Sequence, residues 1–220
     1  QGYITQDRLP LWSELRVTNI GTRTAFNIED YQILYGYLRN YTKNISDEGE
    51  IYNRKMIRDF ILVQSNTGLR FGECRFLKWH YVSVVKGENK YPNVHIRVPA
   101  EISKVRKDRT SVGMRGDFFT RIKTYSNHTH SDDYIFSDMK TGEPLGKKVL
   151  YNMWHLIMRD SGLGESLNDY TYYCLRHTFA TYRLQYGKVD IRTLAKVMGC
   201  SVTYIEQHYD SDRVENMTDY

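Results

Sequence analysis

Three short runs of β-branched residues interrupt a chain whose pattern is otherwise helical, and this interruption constrains the fold most. The runs cover residues 81–85, 94–98 and 110–114, and residues 87–89 and 103–109 separate them. Runs of this length between turn-forming segments predict strands, and short consecutive connections predict an antiparallel meander. The sequence therefore predicts a mainly helical α+β domain with a small three-stranded antiparallel sheet at one edge.

The segments around this block place apolar residues at helical spacing. Asn27 suits the N-cap of the first helix, and two acidic residues follow it in the first turn, where the helix dipole favours negative charge. Gly68 is placed to end the second helix, and Ser201 to begin the last. The predicted helices cover residues 27–40, 52–66, 72–79, 118–125, 147–160, 175–186, 191–198 and 202–208.

The length and composition bound the class of protein. A chain of 220 residues, 40% of them hydrophobic, can bury one sizeable core. Residues 1–26 lack helical spacing, so we expect a lead-in or linker there, followed by one domain over residues 27–220. No apolar run approaches the ~20 residues of a membrane span, and no signal-peptide pattern is present. Three widely spaced cysteines favour a reducing compartment over a disulfide scaffold.

Basic residues exceed acidic ones by 31 to 26, which gives a net charge of +5. Such an excess permits nucleic-acid binding only where the charge is clustered. Between residues 101 and 125 there are seven basic residues against three acidic ones. An ordinary solvated surface would show the same composition, so the cluster alone does not decide. The seven are Lys104, Arg106, Lys107, Arg109, Arg115, Arg121 and Lys123.

Four segments stand out when they are considered together. The first is TGLRFGE at residues 67–73, and the second is the pair Ser103-Lys104 in the predicted turn between the last two strands. The third is YCLRHTFAT at residues 173–181, and the fourth is LAKVMGCS at residues 194–201, with Tyr209 nine residues after its cysteine. An arginine between two helix ends, as predicted for the first segment, suits anion binding, although a surface arginine beside a helix end would look the same.

In this order, TGLR-x-GE, LRHTFAT, LAKVMG-x-S and the tyrosine resemble the successive motifs of the tyrosine recombinase (phage integrase) family. The resemblance covers about residues 27–210. It implies the C-terminal catalytic domain of a site-specific recombinase that cleaves and rejoins DNA through a 3′-phosphotyrosine intermediate, preceded by N-terminal DNA-binding domains. It also implies double-stranded DNA as partner, a homotetramer on DNA, accessory DNA-bending or directionality proteins, and action on cytoplasmic DNA of a prokaryotic or phage-infected cell. Neither a cofactor nor a metal is expected.

The resemblance also assigns roles to individual residues. Arg70 and Arg176 would bind the scissile phosphate, since a guanidinium offers a planar fork of donors and stays charged. Lys104 would protonate the departing 5′ oxygen, because neighbouring cations can lower the pKa of a lysine. Tyr209 would be the nucleophile. We expect the remaining DNA contacts from Arg106, Lys107, Arg109 and His177.

Alternatives remain for some of these assignments. Lys107 competes with Lys104, and Tyr204 and Tyr220 compete with Tyr209, which only its spacing from the fourth segment distinguishes. His208 is a further candidate for a general base. A zinc site built from Cys174, His177, Cys200 and His208 would match no usual finger spacing.

Two positions depart from the family pattern. Tyr173 stands three residues before the second arginine, where the family usually has histidine, and Cys200 stands where it usually has histidine or tryptophan. Tyr173 can still donate a hydrogen bond, whereas a thiol is a weak donor. The alternatives to a recombinase are therefore a type IB topoisomerase or telomere resolvase with the same chemistry, and a DNA-binding paralogue with weakened catalysis.

Overall fold

The computed structural model describes residues 24–87, 90–165 and 170–209. Helices dominate these ranges, and two short 3₁₀ helices lie at Trp79–Tyr81 and Leu163–Glu165. This confirms the predicted mainly helical fold. The α-helices are α1 (Ile28–Arg39), α2 (Glu48–Thr67), α3 (Phe71–Arg75), α4 (Asp117–Lys123), α5 (Lys147–Asp160), α6 (Tyr172–Gln185), α7 (Ile191–Met198) and α8 (Val202–Tyr209).

The predicted meander is also confirmed. Strands β1 (Val82–Val85), β2 (Asn93–Val98) and β3 (Arg109–Gly113) form one antiparallel sheet in the order β1-β2-β3. Alternate residues of β2 are buried, with Val94 and Ile96 directed to the core and Arg97 exposed. The alternation places one face of the sheet on the helices and leaves the other to solvent.

Two predicted helix boundaries lie four residues from the observed ones, and α6 begins at Tyr172, three residues before its prediction. The helix predicted from residue 52 begins at Glu48, because the side chain of Asp47 accepts a hydrogen bond from the amide of Glu50 at 2.7 Å and caps the helix earlier. The helix predicted to reach residue 79 ends at Arg75. Beyond it the backbone pairs with a distant segment, where the amide of Ile135 donates to the carbonyl of Leu77 at 2.9 Å.

The core forms around α2 and α6, which lie side by side. Phe60 of α2 contacts Tyr172 of α6 edge to face, with ring centroids 5.5 Å apart, and Trp154 of α5 packs on the same tyrosine at 4.5 Å. A second, smaller cluster joins Phe179 of α6 to residues of α7 and α8, including Met198. Together the two clusters place the third segment (residues 173–181) and the fourth (residues 194–201) against the C-terminal end of α2, where the first segment begins.

The packed domain begins before the predicted boundary at residue 27. Phe26 is 1% exposed, its ring stacks on Tyr170 with centroids 3.8 Å apart, and its amide donates to Thr178 Oγ1 at 2.9 Å. Phe26 therefore belongs to the core and not to the predicted lead-in, most of which (residues 1–23) lies outside the described residues. Within the described ranges, no helix is both long and apolar enough to cross a membrane.

Candidate active site

The turn that carries Arg70 is fixed by the glycine at the end of α2. Gly68 adopts a left-handed conformation with φ of 64°, and its amide donates to the carbonyl of Gln64 at 3.0 Å. A Cβ atom here would overlap the ring of Phe179, so the close approach of α6 also requires glycine. Arg70 follows in an extended conformation directly before α3, which confirms its predicted position between two helices.

The side chain of Arg70 connects this turn to the end of α7. Its Nη1 donates to Glu73 Oε1 at 2.9 Å, and its Nη2 donates to the carbonyl of Gly199 at 2.8 Å. The side chain is 17% exposed. Tertiary folding therefore joins the first and fourth sequence segments through one guanidinium, which keeps a path to solvent.

Arg176 reaches the same place from α6. It is 1% exposed; its Nη1 donates to the carbonyl of Gly68, and its Nη2 donates to the carbonyl of Met198 at 2.7 Å. Arg70 and Arg176 thus bind the carbonyls of two successive residues, Gly199 and Met198. The two predicted phosphate-binding arginines are brought together by the structure.

Cys200 follows these carbonyls and is half-buried beside the arginines. Burial raises the pKa of its thiol, although the charges of Arg176, Arg70 and Arg109 act in the opposite direction. The structure therefore places Cys200 beside Arg70 and Arg176, and its predicted supporting role remains a prediction. A thiol with a raised pKa remains neutral and contributes at most a weak hydrogen bond.

Lys104 lies in a β-turn between β2 and β3, as predicted. The amide of Arg106 donates to the carbonyl of Ser103 at 3.0 Å, which places Lys104 and Val105 at the two central positions. Asp108 closes the base of this loop, because its Oδ1 accepts from the amide of Ala100 at 2.7 Å. Lys104 is exposed.

An open cavity of about 660 Å³ separates this loop from the connection between α7 and α8. Val105 and Lys107 line it on the loop side, and Gly199 and Cys200 line it on the other side. The loop and the connection between α7 and α8 therefore face one space. Because Lys107 lines that space and Lys104 does not, Lys107 remains a competitor for the role predicted for Lys104.

Tyr173 connects α6 to α8. Its hydroxyl lies 3.1 Å from the hydroxyl of Tyr204, and its ring contacts His177 with centroids 4.9 Å apart. Burial, followed by the hydrogen bond with Tyr173, raises the pKa of Tyr204 to about 12. The hydroxyl of Ser201 accepts from the amide of Tyr204 at 3.1 Å, which confirms the predicted cap. The helix ends at Tyr209, whose side chain lies outside the described residues, so the nucleophile remains a prediction.

Two of the residues predicted to contact DNA have little exposed side chain. Arg109 is only 8% exposed and forms an ion pair with Glu73 at 2.7 Å, so its guanidinium is directed into the protein. His177 is 4% exposed and packs inside α6 against Tyr173. Each side chain therefore presents little surface, and its predicted DNA contact remains a prediction. Arg106 and Lys107 are exposed on the loop, and their predicted contacts stand as predictions.

Sequence reasoning missed the function of Glu73. This carboxylate is 1% exposed and accepts from the amide of Arg70 at 2.9 Å, from the Arg70 side chain and from Arg109. Burial alone would raise the pKa of Glu73, but hydrogen bonds and charge from Arg109, together with Arg70, hold it below the ordinary value. An available signal was its position three residues after Arg70, where a glutamate caps the start of a helix.

The residues once considered as a zinc set do not form one. Across the ranges that the structure covers, no group of three or more histidine, cysteine, aspartate or glutamate side chains could hold a metal ion.

The fold and the converging arginines agree with a comparison of the sequence with protein families. The model of the phage integrase family matches residues 33–215. The chain therefore belongs to the phage integrase family. A comparison with curated protein sequences finds no significant match.

Solved structures share the fold at low sequence identity. XerH site-specific recombinase bound to palindromic difH substrate, in a post-cleavage complex, has a TM-score of 0.66 at 20% identity, covering 90% of this chain and 53% of XerH. XerA recombinase has a TM-score of 0.63 at 20% identity, covering 96% and 68%. A lambda integrase (75–356) dimer bound to a COC′ core site has a TM-score of 0.63 at 17% identity, covering 90% and 63%. The chain spans about half the length of XerH.

Proposed function

We propose that this chain is the catalytic domain of a site-specific DNA recombinase that cleaves and rejoins strands through a 3′-phosphotyrosine at Tyr209. The observation that carries the proposal is the convergence of Arg70 and Arg176 on the carbonyls of Gly199 and Met198. Two guanidinium groups fixed within one small region match the non-bridging oxygens of a phosphodiester. Membership of the phage integrase family supports the same chemistry.

In the proposed cleavage step the Tyr209 hydroxyl gives its proton to a water molecule as its oxygen bonds to phosphorus, while the bond from phosphorus to the 5′ oxygen breaks. Lys104 gives a proton to that departing oxygen. Arg70 and Arg176 stabilise the extra negative charge of the pentacoordinate transition state more than that of the ground state. The phosphotyrosine preserves the energy of the broken bond, so attack by a 5′ hydroxyl reverses the step and rejoins a strand.

Double-stranded DNA is the proposed partner. The similar Tn1549 transposon integrase structure is in complex with circular intermediate DNA, and the exposed Lys104, Arg106 and Lys107 give this chain a basic loop beside the arginine site. We further propose that N-terminal DNA-binding domains precede this one in the whole protein, which acts as a homotetramer across two DNA sites. Accessory DNA-bending or directionality proteins, and action on DNA in the cytoplasm of a prokaryotic or phage-infected cell, belong to the same proposal.

A nicked suicide substrate tests the cleavage chemistry. Duplexes from the DNA flanking the gene would carry a nick next to the cleavage position, so that a short fragment diffuses away and the covalent adduct accumulates. We expect an adduct from the wild-type protein and from the control Tyr220→Phe, and none from Tyr209→Phe. DNA affinity should be nearly unchanged in both variants, because each loses one hydroxyl. An adduct from Tyr209→Phe would show that another tyrosine is the nucleophile.

A DNA-binding paralogue with weakened catalysis is the second candidate, and Tyr173 and Cys200 at the positions of family histidines favour it. Sequence-specific DNA binding without any adduct from the wild-type protein would support that candidate. If the adduct forms, strand exchange between two duplexes distinguishes a recombinase from a topoisomerase, which would only relax supercoils.

A further inference from the structure

We propose that Arg109 is a positioning residue for DNA cleavage, which acts by holding Glu73 and thereby keeping Arg70 available to the phosphate. The inference rests on the proposed function and adds to it a residue that touches neither DNA nor the reacting atoms. Arg109 begins β3, five residues after Lys104 in the sequence. It thus joins the end of the basic loop to the arginine site.

The contact between Arg109 and Glu73 has two points. Arg109 Nη1 donates to Glu73 Oε1 at 3.1 Å, and Nη2 donates to Oε2 at 2.7 Å. The two side chains are 8% and 1% exposed, so water screens the pair little. A two-point contact between a guanidinium and a carboxylate fixes orientation as well as distance, which a lysine could not do.

Glu73 is shared between Arg109 and Arg70. Its Oε1 accepts from the side chains of both arginines, and its Oε2 accepts from the amide of Arg70 and from Arg109. With Arg109 present, two positive charges surround one negative charge. Without Arg109, Glu73 would neutralise Arg70 and draw its guanidinium away from the phosphate, so transition-state stabilisation would fall.

Arg109 also braces the turn whose carbonyl binds Arg70. Its Nε donates to the carbonyl of Val197 at 3.2 Å. A Cβ atom at Gly199 would lie 2.5 Å from Arg109 Cδ, and Gly199 has a left-handed φ of 63°. The Arg109 stem therefore lies against the residue whose carbonyl receives Arg70 at 2.8 Å. Both contacts of the Arg70 guanidinium thus depend on Arg109.

The test compares Arg109→Gln with the wild-type protein by single-turnover cleavage of the suicide substrate and by DNA affinity at several salt concentrations. We expect cleavage to slow by about tenfold to a hundredfold, as for a small misplacement of a catalytic group. The salt dependence of affinity should change no more than it does in Arg70→Ala, because only the phosphate contact of Arg70 is weakened. A salt slope lower in Arg109→Gln than in Arg70→Ala would mean that Arg109 contacts DNA directly, and would overturn the proposal.

A substrate with a methylphosphonate at the cleavage position separates positioning from general damage to the fold. This group is uncharged, so its cleavage requires less stabilisation of negative charge. The Arg109→Gln defect should shrink on it to within about threefold of wild type, because the missing charge stabilisation matters less. An equal defect on both substrates would indicate a structural role only and would contradict the proposal.

Two further variants complete the design. Arg121→Gln is the matched control, because Arg121 also forms a two-point contact with a buried carboxylate, that of Asp59. Asp59 lies nine residues before Gly68, which is about 14 Å along α2. Arg121→Gln should cleave at the wild-type rate. Arg109→Lys keeps the charge, so its cleavage rate should lie between the rates of Arg109→Gln and wild type. This comparison holds even if Arg109→Gln is poorly folded. Wild-type-like cleavage by both Arg109 variants would refute the proposal, whereas failure of the wild-type protein itself would refute the proposed function and the inference with it.

Discussion

The hydroxyl of Tyr173 lies 3.1 Å from the hydroxyl of Tyr204, and this hydrogen bond joins the helix of Arg176 to the helix that ends at Tyr209. Tyr173 occupies the position where the family usually has a histidine. Because the pKa of Tyr204 is raised to about 12, this hydroxyl stays protonated at neutral pH. This hydrogen bond therefore fixes α8 on α6, and the Tyr204 hydroxyl in it does not titrate near pH 7.

Removal of either hydroxyl should slow cleavage by about the same factor. We expect Tyr173→Phe and Tyr204→Phe each to cleave roughly fivefold more slowly, which corresponds to one hydrogen bond. The double variant should be no slower than either single variant, because the interaction is lost only once. Tyr182→Phe is the control, since its hydroxyl donates to the carbonyl of Phe26 at 3.3 Å, away from α8. Additive effects in the double-mutant cycle would mean that the two hydroxyls act separately.

Loss of either phosphate-binding arginine should be severe. We expect Arg70→Ala and Arg176→Ala each to slow cleavage by at least about a hundredfold, from the ~3 kcal/mol typical of one preorganised donor. Single-turnover rates on the suicide substrate measure this. Arg176→Ala should also lower the melting temperature, because it leaves the buried carbonyls of Gly68 and Met198 without this donor. Near wild-type cleavage by either variant would remove that arginine from the site.

The roles of Lys104 and Lys107 can be separated with a bridging 5′-phosphorothiolate. A thiolate leaves without a proton, so Lys104→Ala should cleave ordinary DNA slowly and this substrate almost as fast as wild type. A lysine that only attracts phosphate would give a similar, salt-dependent defect on both substrates. Lys107→Ala is the paired variant, because Lys107 lines the cavity beside Cys200. Rescue of Lys107→Ala without rescue of Lys104→Ala would reverse the assignment.

The ion pairs of Glu73 predict a pH dependence of stability. Its pKa in the folded protein lies below the ordinary value of 4.5, so the carboxylate stabilises the fold at neutral pH. That contribution is lost as the pH falls below about 4.5 toward the folded-state pKa. Glu73→Gln should lower the free energy of unfolding at pH 7 by ~3 kcal/mol, and its difference from wild type should shrink in acid. Urea denaturation between pH 7 and pH 3 measures both curves, and parallel curves would contradict the assignment.

Much of the fold followed from local patterns in the sequence. The strands, the caps at Asn27 and Ser201, the end of α2 at Gly68 and the turn at Lys104 all depend on a few neighbouring residues. Prediction failed where backbone from a distant segment competes with continuation of a helix. This occurs after the end of α3, where Leu77 pairs with Ile135. Helical spacing alone carries no information on such a partner.

For the site, the sequence by itself determined which residue types were present and in what order, and this sufficed to identify Arg70, Arg176 and Lys104 as candidates. Only the tertiary structure decided the environment of each side chain. Arg109 belongs to the basic cluster from which the sequence predicts DNA contacts. Folding brings Glu73 within 2.7 Å of Arg109 and buries both side chains. The physical reason is that burial and ion pairing depend on contacts between residues far apart in the chain, which no local pattern specifies.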